Sequence, residues 1–174
     1  MADYFTIGHS THPVDEFIAM LHAAGVRFVA DVRTMPRSRT NPQFNTDVLP
    51  AALAGAQIGY EHIAALGGLR SRRRDVDPQV NGFWENKSFH NYADYAMGDA
   101  FQAGFRHLLD IGRERPVAIM CAEAVWWRCH RRIIADYLLA AGEDVRHIMA
   151  DGKVTEARMT KGAQREGSVL AYPA

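Results

Sequence analysis

Thiol, imidazole, carboxylate and guanidinium side chains gather in three short stretches of the chain. These are Gly8-His9-Ser10-Thr11-His12, Asp31-Val32-Arg33 and Cys121-Ala122-Glu123, the last running on through Trp126-Trp127-Arg128 to Cys129-His130-Arg131-Arg132. The residue types suffice for proton exchange and covalent catalysis. Arg33 and Arg131 could hold an anion, Glu123 with His130 or His9 could move protons, and Cys121 or Cys129 could attack an electrophile. Cys129 stands among Arg128, His130 and Arg131 at an expected helix N-terminus, where cations and the helix dipole favour thiolate. Cysteine also packs well as a small hydrophobe, so each thiol has a purely structural alternative. His9 reads as functional and His12 as a surface histidine. Asp31 and Arg33, alternate residues leaving a buried strand, either tie down loops or present a fork to carboxylate or phosphate.

To act together, the three stretches must be brought to one place. The apolar run at residues 4–7 predicts a strand, followed by a helix entered at Pro13, carrying Phe17, Ile18, Met20 and Leu21 and stopped by Gly25. Further strands are expected at 27–32, 60–63, 116–120 and 145–149, and further helices at 47–56, 92–113 and 133–141. The run at 116–120 is apolar at every position, which implies that both sheet faces are covered. This alternation predicts a three-layer, Rossmann-like α/β fold with a doubly wound, mostly parallel sheet. Parallel strands deliver 8–12, 31–33 and 121–123 to the same edge, where such sheets bind ligands. On a helical wheel His130 shares a face with Ile134 and Cys129 with Ile133, so both point to that edge. Arg132 falls on the outward side, four residues before Asp136, as a solvated ion pair.

A chain of 174 residues, 48% hydrophobic, is expected to form a single α/β domain over 1–174. An irregular insert at 67–91 reads as a binding loop, a lid or a disordered segment, and a polar tail at 151–174 holds at most a short helix near 155–159. Lys plus Arg and Asp plus Glu both number 20, so no global field draws the chain to nucleic acid or to an anionic membrane. A local route to nucleic acid exists. Arg70, Arg72, Arg73 and Arg74 could neutralise phosphates while Phe83, Trp84, Phe89, Trp126 or Trp127 stack on bases, unless the insert's aromatics are tucked onto the core. No apolar run approaches the ~20 residues of a membrane span, and the first residues lack the features of a signal peptide. A cytoplasmic protein with reduced cysteines is therefore expected. Cys121, Cys129, His130 and His9 or Glu123 would be good zinc or iron ligands, but adjacent Cys129 and His130 seldom reach one ion from a regular helix. No metal and no cofactor is expected.

The ordered set of GHST after the first strand, DVR after the second, Pro36 and Ser38 beyond it, Leu66-Gly67-Gly68, and CAE followed by CHR resembles the family catalogued as domain of unknown function 488. The similarity runs from about residue 5 to residue 149. It implies an α/β domain with these motifs in one site, and it implies no particular reaction. The positions sort into a catalytic set, His9, Cys121, Glu123, Cys129 and His130, and a substrate-binding set, Gly8, Ser10, Asp31, Arg33, Ser38 and Arg131. The expectation is an enzyme acting on a small anionic or phosphate-bearing substrate, a nucleotide or nucleic acid among them. A nucleic-acid-binding module without catalysis and a Cys/His metal-binding protein are the alternatives. A strand-end cysteine followed by a helix is also the order of sulfur-transfer and phosphatase loops. Those loops need five residues between Cys and Arg, whereas six separate Cys121 from Arg128.

Overall fold

The computed structural model describes residues 3–174. Its strands are β1 (Asp3–Gly8), β2 (Phe28–Asp31), β3 (Gly59–His62), β4 (Val117–Cys121), β5 (Asp144–Ile148), β6 (Val154–Glu156), β7 (Gln164–Glu166) and β8 (Val169–Ala171). Helices α1 (Val14–Ala24), α2 (Leu49–Gly55), α3 (Lys87–Ala96), α4 (Asp99–Glu114) and α5 (Arg131–Ala140) connect them. The main sheet has the order β3-β2-β4-β1-β5-β6, with its first five strands parallel and β6 antiparallel at the edge. The family of α/β folds expected from the alternation is the one observed.

Alternation along the strands sorts their side chains to two faces. Phe5 and Ile7 of β1, with Ala118 and Met120 of β4, pack against Phe17 and Leu21 of α1 and Leu49 and Leu53 of α2. Tyr4, Val117, Ile119 and Cys121 turn to the opposite face, where α3, α4 and α5 contribute Tyr92, Phe101, Phe105, Ile133 and Ile134. Each fully buried Phe, Leu or Ile in these layers stabilises the fold by about 1.5–3 kcal/mol. Gly25 closes α1 in the left-handed conformation, at φ 80°, with its amide donating to the His22 carbonyl, as its place after the apolar stripe required.

Four expectations need correction. The long helix at 92–113 is two helices, α3 and α4, which part at Met97-Gly98, where Gly98 is in the extended conformation. The insert at 67–91 is irregular only as far as residue 86. It gives way to α3 at Lys87, after Asn86 caps that helix by accepting from the Ser88 and Phe89 amides, and it lays Trp84 on the core beside Phe89 and Tyr172. The tail forms no helix near 155–159: β6 pairs with β5, and β7 and β8 form a hairpin whose Leu170, followed by Tyr172, is buried. Arg132 is no exposed partner of Asp136. It donates to Thr160 Oγ1 and lies over the Trp84 ring, while the buried Asp136 accepts from the Thr160 amide and the Tyr172 hydroxyl.

Candidate active site

The connections after β1 and β2 lead to α1 and α2 on one face, whereas the connection after β4, which lies between them, leads to α5 on the other. Chain paths that diverge from neighbouring strands leave a crevice beyond the strand ends, the common ligand site of open α/β sheets. Two adjoining hollows occupy it. One, of about 370 Å³, is lined by Arg33, Cys121, Glu123, Arg128, Cys129 and His130, with Met35, Leu69 and Phe89 as its apolar wall. The other, of about 430 Å³, is lined by His9, Ser10, Arg37 and Ser38 and shares Arg33, Met35, Ala122 and Glu123 with the first. Met35 and Leu69 are 71% and 75% exposed, so the mouth of the crevice presents apolar surface to solvent.

Local chain geometry explains why the β1 and β4 stretches meet. The His9 amide donates to the Cys121 carbonyl and the Ser10 amide to the Ala122 carbonyl, which extends the pairing beyond the strands. Glycine is required at position 8, because a Cβ there would overlap the Glu123 carbonyl oxygen. Ser10 takes a left-handed φ of 47° as the chain turns away toward α1.

Arg33 is fixed from below. Its Nε and Nη2 donate to the two oxygens of the buried Asp31, Nη2 also donates to the Phe44 carbonyl, and Nη1 donates to His9 Nε2. Arginine cannot accept, so His9 Nε2 carries the lone pair and Nδ1–H donates to the Ser10 carbonyl. Burial, reinforced by the Arg33 charge, holds the His9 pKa below its ordinary value. Both ring nitrogens are therefore occupied, and His9 positions Arg33 rather than exchanging protons. Four of the five guanidinium hydrogens are placed, which leaves one on Nη1 for a ligand in the crevice. Asp31 lies beneath the floor as the counter-ion. Ser38 accepts from the Thr40 and Asn41 amides and shapes the loop that borders the second hollow.

The β4 side has a different character. Arg131 is 1% exposed and does not enter the crevice; four of its five guanidinium hydrogens go to Thr6 Oγ1, the Cys121 sulfur and the Glu123 and Ala124 carbonyls. Arg131 therefore does not take the place expected of it, and the guanidinium groups that line the crevice are those of Arg33 and the exposed Arg128. Among the described residues no carboxylate pairs with Arg131, so the Cys121 sulfur is the one group touching its guanidinium that can carry a full negative charge. Burial by itself would raise the Cys121 pKa. A hydrogen bond from Cys129 and the Arg131 charge outweigh it and bring the thiol down to about 7. Cys129 takes the opposite course, pushed well up by burial and by the Cys121 charge.

Cys129 and His130 precede α5 instead of lying within it, on the far side of a 3-10 turn at Trp126–Arg128. His130 Nε2 lies 2.8 Å from the Val32 carbonyl, which can only accept, so the proton sits there and Nδ1, carrying the lone pair, lies 3.5 Å from Cys129 Sγ. Burial lowers the His130 pKa to about 4, and the ring is neutral at pH 7. Two members of this network carried no sequence motif. Thr6 Oγ1 joins Arg131 to His147 Nδ1, and His147 stacks on Trp126 at 4.3 Å. The available signal was polarity at single positions of otherwise apolar strands.

The remaining candidates lie elsewhere. Arg70 donates to the Gly67 and Ala64 carbonyls and stacks on Tyr95, and Arg73 is paired with Asp75. Trp84 and Phe89 stack on each other, Phe83 meets Trp84 edge-on and Trp126 is covered by His147, while Trp127, 43% exposed, stands edge-on to Trp126. Among the described residues no three His, Cys, Asp or Glu side chains converge as metal ligands, and no helix is long and apolar enough to cross a membrane.

Fold and site together define a three-layer α/β domain with a thiol- and arginine-lined crevice at the carboxyl ends of its parallel strands. The chain belongs to the family described as domain of unknown function DUF488, whose model matches residues 13–138. Searches of curated proteins and of solved structures returned no match.

Proposed function

We propose that the chain is an enzyme that uses Cys121 as a thiolate nucleophile toward a small substrate carrying an anionic group. The observation that carries this reading is the contact of the buried Arg131 guanidinium with the Cys121 sulfur in a cavity open to solvent. A buried cation without a carboxylate favours the ionised partner, and the thiolate is the nucleophilic form of cysteine. Arg128 and the free Nη1 hydrogen of Arg33 would hold the anion, with phosphate and carboxylate equally suited to the fork. Met35, Leu69 and Phe89 would cover an apolar body, and Glu123, shared by both hollows, is placed to exchange protons at the rim. Both cysteines are free, which suits a cytoplasmic setting, where thiols remain reduced.

Alkylation kinetics followed by peptide mass mapping test the reading. Iodoacetamide is expected to modify Cys121 before Cys129, with a rate midpoint near pH 7. Iodoacetate, which carries a negative charge, is expected to gain on iodoacetamide relative to a free thiol and to lose that gain in Arg128→Ala. A Cys121 that stays unmodified in the native protein overturns the proposal.

A further inference from the structure

The nucleophile is not alone in its cavity. Cys121 ends β4 and Cys129 precedes α5, yet both side chains belong to the same core layer and line the same hollow. Arg131 touches both sulfurs, through Nη1 to Cys121 and through its backbone amide to Cys129 at 3.5 Å. A hydrolytic cysteine enzyme needs one thiol and a site for water. Here the space beside the nucleophile is taken by a second thiol, itself within reach of the lone pair on His130 Nδ1.

Resting on the reading of Cys121 as the nucleophile, we infer that Cys129 is its resolving thiol, and that the substrate is a small disulfide with an anionic group, reduced by this dithiol pair. The Cys121 thiolate attacks one sulfur of R–S–S–R′. A Cys121–S–S–R bond forms, the S–S bond of the substrate breaks, and R′S⁻ leaves to take a proton from water. Cys129 then attacks the Cys121 sulfur as its own proton passes to the departing group, which releases RSH. Two cysteine sulfurs are oxidised to one disulfide and the substrate is reduced to two thiols. An external thiol must later reduce the Cys121–Cys129 bond for turnover.

The division of labour follows from position. Cys121 faces the fixed guanidinium group and is the better thiolate, whereas Cys129 keeps its proton until the mixed disulfide has consumed the charge beside it. A resolving thiol held as a protonated neighbour cannot compete for the first attack.

Dithiobis(nitrobenzoate), an aromatic disulfide with a carboxylate on each ring, is the probe. The wild-type chain is expected to release two nitrothiobenzoate ions in a fast phase, to retain no adduct and to become two hydrogens lighter, with a Cys121–Cys129 cross-link in the peptide map. Cys129→Ser should release one and keep the adduct on Cys121; Cys121→Ser should lose the fast phase. Should the wild type retain its adduct on Cys121 without cross-linking, the resolving role falls while the nucleophile stands. Absence of any fast phase in the wild type overturns both. The wild-type peptide map decides the question even where a cysteine variant fails to fold.

Discussion

Arg131 directs a terminal nitrogen onto the Cys121 sulfur from a position 1% exposed, and its remaining side-chain contacts are with neutral oxygens. A guanidinium ion in such a place is stabilised by carbonyl dipoles and, when Cys121 ionises, by a thiolate.

Replacement of Arg131 by Met removes the cation and retains much of the volume. The midpoint for Cys121 alkylation should rise from about 7 toward the ordinary thiol range. A midpoint higher by one pH unit lowers the thiolate fraction at neutral pH, and with it the rate, about fivefold. Loss of donors to the Glu123 and Ala124 carbonyls should also cost about 1–3 kcal/mol of stability. A pH-rate profile and urea unfolding measure the two effects, and an unmoved midpoint would remove Arg131 from the account.

Asp31 and Arg33 should behave as a buried pair. Asp31→Asn leaves a nearly buried guanidinium without its counter-ion and is expected to cost about 3–5 kcal/mol, whereas Asp31→Asn combined with Arg33→Met should recover much of that loss. Equal stability of the single and double variants in urea would contradict the pairing.

Acid should weaken the fold through two neutral histidines. Burial, first of all, lowers both the His130 and His147 pKa values from 6.5 to about 4. Between those pH values the unfolded chain binds protons that the folded chain refuses, so stability is full above about pH 6.5 and declines as pH falls toward 4. Over that window each histidine should cost about 1.4 kcal/mol per pH unit. Urea titrations at a series of pH values should show this slope, and His147→Gln should make it shallower. An unchanged slope would mean that His147 does not contribute.

Gly8→Ala should damage the site through the backbone. The added Cβ would meet the Glu123 carbonyl, and backbone in a paired loop cannot swing aside as a side chain can. An overpacking cost of about 1–3 kcal/mol is expected, together with a changed rate of Cys121 alkylation as the loop after β4 shifts. A variant with wild-type stability and alkylation would contradict the close approach.

Strand alternation and Gly25 were enough to define a covered parallel sheet, and the parallel arrangement alone placed residues 8–12, 31–33 and 121–123 on one edge. Periodicity could not see that α3 and α4 part at Met97-Gly98, because both helices keep apolar stripes against the same layer. The tail was obscure because its strands are three residues long and mostly exposed, so no alternating burial marks β6 or β7. The insert was obscure for the reverse reason: its order comes from distant partners, with Tyr172 donating its amide to Asn81 and packing on Trp84.

The sequence by itself determined the inventory of the site and its edge of the sheet, since residue type and strand direction are local properties. Only the tertiary structure decided roles. Arg33 and Arg131 are alike as residues, yet one faces Asp31 and His9 at the crevice and the other is sealed beneath it with its guanidinium against the Cys121 sulfur. Charge, tautomer and thiol ionisation depend on what lies within a few ångströms, and those neighbours come from segments far apart along the chain.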